Sequence, residues 1–214
     1  MKVLVTGFEP FGAYPENVSW EVARGLDISD INGVELNVEL LPVSFQRVAG
    51  ALSTMVELYS PDLLIMLGQA GTADSIKLER VALNMMDARI ADNDGYQPNE
   101  EPIVPMGNGA LFTQLPIKLL HSAIEGRGIR AKISNSCGLY VCNRLYYEAL
   151  QICQMRPTMQ AIFIHLPHHT AQQGVAPERI TMPLEVMTEA VKTIIQTIYE
   201  HFKHKAGTIA SIRR

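Results

Sequence analysis

Short apolar or alternating segments take turns along this chain with longer runs whose apolar residues recur every three to four positions. Lys2 to Thr6, Val34 to Val43, Asp62 to Leu67, Ile129 to Ser134 and Met159 to His165 show the first pattern, which predicts strands. Phe45, Val48, Ala49, Leu52, Met55, Val56 and Tyr59 keep the helical period, as do Leu184, Met187, Val191, Ile194, Ile195, Ile198 and Phe202. Shorter helices are expected over Asn17 to Leu26, Pro116 to Gly126 and Tyr140 to Cys153, the second entered by proline and left by glycine. Ile76 to Met86 alternates less cleanly and reads as a further strand extending the sheet. Strands alternating with helices imply an α/β fold with a largely parallel sheet covered on both faces.

Two irregular stretches break the alternation. Asp92 to Gly109 carries three prolines, three glycines and three asparagines, and Leu166 to Pro183 is similarly broken. Loops of this length act as lids or interface arms, or else are disordered surface excursions. Neither an internal repeat nor a domain-splitting linker is visible. The expectation is one domain over residues 1–214, with Lys205 to Arg214 as a frayed, mildly basic tail.

Composition excludes several classes. With 214 residues, 47% of them apolar and 19% charged, the chain has material for one ordinary core and does not look disordered. Eighteen basic against 22 acidic residues give a net charge of −4, without a basic stripe to attract nucleic acid or an anionic membrane. Met1 to Gly7 reads as a first strand, not a signal peptide, and no apolar stretch is long enough to cross a bilayer. Three cysteines without regular spacing point to a reducing cytoplasm.

Chemistry concentrates near Cys142. A helix starting near Tyr140 puts this residue in the first turn, where unpaired N–H groups and the helix dipole favour a thiolate. Free cysteines are otherwise buried filler. Cys153, on the same apolar stripe as Tyr146 and Ala149, fits that role, while Cys137 in the preceding turn is filler or an oxidisable neighbour. Cys142 needs a base. His121, His201 and His204 lie in helical segments; His165, His168 and His169 follow the fifth strand. Their spacing invites a metal reading, but no cysteine sits at ligand spacing and no H-E-x-x-H helix exists, so no metal is expected. His165 is preferred because it ends a strand at the rim where α/β sheets bind ligands. A carboxylate should orient its imidazole. Glu79, in an alternating apolar run, is the candidate, although Asp87 and Asp92 are equally admissible on physical grounds. Thr6 to Gly12 lacks the G-x-G-x-x-G pattern and a Walker lysine; Phe8 and Phe11 either form an apolar slot or pack in the core.

These motifs resemble those of the pyroglutamyl peptidase I (pyrrolidone-carboxylate peptidase) family of cysteine peptidases. The likeness runs almost end to end. It includes Thr6-Gly7-Phe8-Glu9-Pro10-Phe11-Gly12, Asn17 with Ser19-Trp20-Glu21, Gly68-Gln69-Ala70-Gly71, Glu79-Arg80-Val81-Ala82 with Asn84, and Asp87-Ala88-Arg89-Ile90. It continues through Asp92-Asn93, Gly95, Ser134-Asn135, Gly138, Val141-Cys142-Asn143 and His165-Leu166-Pro167. The resemblance implies Cys142 as nucleophile, His165 as general acid/base and Glu79, rather than either aspartate, as the orienting carboxylate. It further implies that Phe8 and Phe11 sandwich the substrate ring, with Asn17, Gln69 and Val141 nearby. Arg89 and the Cys142 amide would serve the oxyanion. The implied fold is a single-domain α/β/α sandwich resembling purine nucleoside phosphorylases, often tetrameric, acting without a cofactor on peptides with an N-terminal pyroglutamyl residue. Departures occur at Ala13-Tyr14-Pro15, Val18, Ala91 and Cys137. The first two bear on the shape of the ring slot. A phosphorylase-like transferase and a non-catalytic metal-binding module using His165, His168 and His169 are the alternatives.

Overall fold

The apolar runs pair with one another as one central sheet. The computed structural model describes the backbone of residues 1–212 and the side chains of residues 1–204. In chain order its elements are β1 (Lys2–Phe8), α1 (Val18–Arg24), β2 (Glu35–Leu41), α2 (Val48–Tyr59), β3 (Leu63–Gln69), β4 (Ile76–Glu79), β5 (Val81–Leu83) and β6 (Ala110–Phe112). These are followed by α3 (Ile117–Glu125), β7 (Ala131–Ser134), α4 (Val141–Met155), β8 (Gln160–Leu166), β9 (His168–His169), β10 (Thr181–Met182) and α5 (Leu184–Ile212). The main sheet has the order β2-β1-β3-β8-β4-β7.

Side-chain alternation sorts this sheet into two faces. Val3, Val5, Ile65, Leu67, Ile162 and Ile164 point to one side, into a core completed by α1, α3 and α5. Leu4, Leu64, Met66, Ala161 and Phe163 point to the other, against α2 and α4. The expected layering of helix, sheet and helix is therefore observed. β3 is buried at every residue, as a strand covered on both faces must be.

Direction along the sheet is mixed rather than uniform. β1, β2, β3 and β8 are parallel, whereas β4 runs antiparallel to β8 and carries β7 parallel to itself. The cause is the short link between β3 and β4: six residues, 70–75, cannot carry the chain back across the sheet for a parallel start, so the strand returns in reverse. The run from Ile76 to Met86 is accordingly not one strand. β4 joins the main sheet, then β5 leaves it to form a small antiparallel pair with β6.

Local chemistry sets the helix ends. Asn17 caps α1 by accepting from the Ser19 N–H at 3.1 Å. α2 starts at Val48, not at Phe45, because the Phe45 N–H donates to Asp92 Oδ2 at 2.8 Å and Ser44 Oγ accepts from Arg47 N at 3.1 Å. Both long loops are pinned, not disordered. Asp92 Oδ1 accepts from the N–H groups of Asp94 and Tyr96, Asn84 exchanges two hydrogen bonds with the Val104 backbone, and β9 pairs with β10. Of the tail expected over Lys205 to Arg214, the backbone of residues 205–212 continues α5 and the remainder lies outside the described residues.

At Gly7, β1 and α1 touch backbone to backbone: a Cβ there would lie 2.7 Å from Ser19 O and 2.7 Å from Trp20 Cα. Gly7→Ala must push α1 off the sheet. Urea unfolding is expected to show a loss of about 1–3 kcal/mol.

Candidate active site

β1, β3 and β8 end level with one another. Gly68 of β3 pairs in register with His165 of β8, and Thr6 with Met66, which brings Phe8 to the same rim. α4 begins beside this rim, with Tyr140 as N-cap and no side chain capping its first N–H groups. Cys142 is its second residue. The thiol fits because residue 68 has no side chain: a Cβ there would lie 3.2 Å from Cys142 Sγ and 2.7 Å from Phe163 Cζ. The sulfur thus rests on the strand next to His165, and both residues line one cavity of about 580 Å³.

His165 is held from behind. Its Nδ1 donates to Glu79 Oε1 at 2.8 Å, leaving Nε2 as the nitrogen that can take a proton. The ring lies against Phe163, with centroids 4.8 Å apart. Glu79 is wholly buried, and its Oε2 has no hydrogen-bond partner, so the imidazole is the group that compensates this carboxylate. The reversed direction of β4 sets the offset: Lys77 pairs with His165 and Glu79 with Phe163, which places the carboxylate one pleat below the imidazole on the same face. Tyr146 O–H anchors that point of β4 by donating to the Glu79 carbonyl at 2.9 Å.

One expectation needs correction. The start of a helix was expected to depress the Cys142 thiol, yet burial pushes it up to about 12, and the Glu79 charge adds to this. Only the residue's own backbone N–H acts the other way. Burial therefore opposes the helix start and favours the neutral thiol, although Cys142 is only half-buried and faces the cavity. Cys137 is also raised by burial, and it lines the same cavity, while burial lifts Cys153, on α4 and partly buried against the core, to about 12.

The other residues singled out from the sequence divide clearly. Phe8, Phe11, Asn17, Gln69, Arg89 and Val141 all line the cavity with Cys142, His165 and Glu79. Phe8 and Val141 are buried wall, Phe11 is half-buried, and Arg89 is exposed. Asn17 has much of its amide committed: Oδ1 accepts from Ser19 N and Oγ, and Nδ2 donates to Glu9 O. Asp87 reaches the cavity, whereas Asp92 is occupied holding its turn. His168 and His169 point elsewhere, to Gln172 and Glu16. Among the described residues no group of three His, Cys, Asp or Glu side chains is placed to hold a metal ion. No helix among them is long and apolar enough to cross a membrane.

Two further aromatic residues, given no wall role by the sequence, line the cavity. Tyr14 and Tyr140 flank Phe11, with centroids 6.5 and 6.4 Å from its ring. The even spacing of Phe8, Phe11 and Tyr14 was the available signal for the first. Tyr140, which caps α4 where the helix was expected to start, also stacks edge-on with Phe45 at 5.2 Å.

Comparison with known proteins agrees with this geometry. The family model described as pyroglutamyl peptidase matches residues 1–201. A pyrrolidone-carboxylate peptidase of Thermococcus onnurineus is 42% identical over 198 residues, covering 92% of this chain and 98% of its own. One from Klebsiella pneumoniae is 42% identical over 193 residues, covering 90% of each. Among solved structures, a variant of the Pyrococcus furiosus pyrrolidone carboxyl peptidase superposes with a TM-score of 0.89 at 38% identity, over 94% of this chain and 100% of that one. Pyroglutamyl peptidase I of Bacillus amyloliquefaciens gives 0.87 at 36% identity, over 92% and 95%. With motif order, fold and whole-chain similarity in agreement, this chain belongs to the pyroglutamyl peptidase family.

Proposed function

We propose that this protein is a pyroglutamyl peptidase of the cysteine type, which removes an N-terminal pyroglutamyl residue from peptides through a thioester. The observation that carries the reading is the buried Glu79–His165 hydrogen bond of 2.8 Å beside Cys142, in a cavity walled by Phe8 and Phe11. A pyroglutamyl group is a neutral five-membered lactam. Its recognition calls for apolar walls and a few amide contacts, not for a carboxylate to capture an ammonium group.

Because the resting thiol is protonated, His165 works as a base during attack. Nε2 takes the Sγ proton as sulfur adds to the pyroglutamyl carbonyl, and Glu79 stabilises the imidazolium that results. The open N–H groups at the start of α4 and the Arg89 guanidinium serve the oxyanion. His165 then gives its proton to the departing amine, the C–N bond breaks, and a thioester remains. Water, deprotonated by the same imidazole, cleaves the thioester and releases pyroglutamate with the free thiol. No cofactor enters this scheme. The same reading assigns a cytoplasmic setting, which keeps three free thiols reduced, and a homotetrameric assembly, the latter on family resemblance alone.

Release of a chromogenic amine from a pyroglutamyl amide, in buffer free of phosphate, tests the activity against a phosphorylase-like transferase. Cys142→Ser should lower kcat by about a thousandfold or more with unchanged thermal unfolding. Glu79→Gln should cost about a hundredfold, mainly in kcat, through a poorly oriented imidazole. The raised thiol pKa has its own signature. Iodoacetamide should alkylate Cys142 of the free enzyme about tenfold faster per pH unit through the alkaline range, with no plateau below pH 10. A plateau near neutrality would instead reveal a preformed thiolate–imidazolium pair.

A further inference from the structure

Gln69, Gln172 and His168 form a chain of hydrogen bonds from the start of α1 to the loop behind β8. The Val18 N–H meets Gln69 Oε1 at 3.1 Å. A backbone N–H needs an acceptor, so this contact fixes which end of the Gln69 amide is oxygen. Gln172 Nε2 donates to the same oxygen at 2.9 Å, which turns Gln172 Oε1 toward His168 Nδ1, 2.8 Å away. That oxygen can only accept, so His168 carries its proton on Nδ1. Gln69, Gln172 and His168 are 8%, 7% and 1% exposed.

The far end of this chain is unsatisfied. Gln69 lines the cavity, and its Nε2 is buried without a hydrogen-bond partner. Buried amide nitrogens are rarely left so; this one has almost no accessible surface of its own, but it belongs to a residue that lines the cavity, where an entering group can supply the missing acceptor. The rest of the chain is packed to stay in place. The His168 ring lies 5.1 Å from that of Tyr14, and its Nε2 would be 3.1 Å from any Cβ at Gly71.

We propose that His168 and Gln172 are positioning residues that hold the Gln69 amide with its nitrogen toward the cavity, so that the site selects an acyl ring bearing a carbonyl acceptor. This inference rests on the proposed peptidase function and adds a cause for its specificity. A pyroglutamyl ring offers its lactam oxygen to Gln69; a prolyl ring offers a methylene and leaves the donor unpaired. Neither His168 nor Gln172 need touch the substrate. Their effect passes through the direction of one amide.

Two substitutions separate this role from simple packing. Gln172→Glu sets a carboxylate opposite Gln69 Oε1, and the Gln69 amide relieves the clash by turning its NH2 group away from the cavity. His168→Phe keeps a ring against Tyr14 but removes the donor; His168→Asn restores a donor at that place. With a pyroglutamyl amide, Gln172→Glu and His168→Phe should raise KM about tenfold and change kcat less than about threefold. Both should also narrow the preference over a prolyl amide, and His168→Asn should recover most of the KM. Unchanged KM in the first two variants, or His168→Asn no better than His168→Phe, overturns the proposal. Nitrogen-15 spectra of the histidine rings give a readout independent of turnover: His168 protonated at Nδ1 is expected, and protonation at Nε2 alone refutes the relay. A wild-type protein that cleaves no pyroglutamyl amide defeats the peptidase reading, while the ring spectrum still decides the relay.

Discussion

A carboxylate with no contact with water is costly to fold around unless a donor meets it, and at Glu79 that donor is the His165 ring N–H. The sheet is organised so that this contact forms. β8 delivers the histidine to the rim, the reversed β4 delivers the glutamate one pleat below it, and Tyr146 ties β4 to α4 from the side. α4 in turn carries Cys142. Glu79, His165 and Cys142 therefore sit on three elements packed against one another, and the loops around them supply the cavity walls.

Dryness governs the sulfur. A helix start offers a thiol open N–H groups, but the enclosure that makes the cavity selective also withdraws the water a thiolate needs. At Cys142 the second effect is larger, and the thiol rises to about 12. A neutral resting thiol also lowers the fraction open to adventitious oxidants, which react with the ionised form.

Much of this was legible in the residues. The apolar period marks β1, β3, β8, α2 and α5 because each buries a face whose spacing the backbone dictates. Direction was not legible. The Ile76 to Met86 run alternates equally well in either sense, and only the short link from β3 reverses it. The place of Cys142, His165 and Glu79 at one cavity follows from strand ends and a helix start, but choosing Glu79 over Asp87 and Asp92 needed family resemblance. Periodicity is silent about loops, so the partners of His168, His169 and Gln172 are not legible in it: His168 meets Gln172 within one loop, while His169 and Gln172 reach Glu16 and Gln69 on distant segments. The thiol's protonation escaped for a different reason. Sequence shows the local dipole and not the depth of enclosure.

The reversed edge of the sheet carries one more implication. β4 is only four residues long, and its pairing with β8 on one side and β7 on the other decides which face receives the carboxylate. A slip by a single position would send Glu79 toward the helices of the opposite layer and leave a charge stranded among Ile162, Ile164 and their neighbours. Such a molecule would be both inert and unstable. Correct assembly and the geometry of the site thus depend on the same strand register.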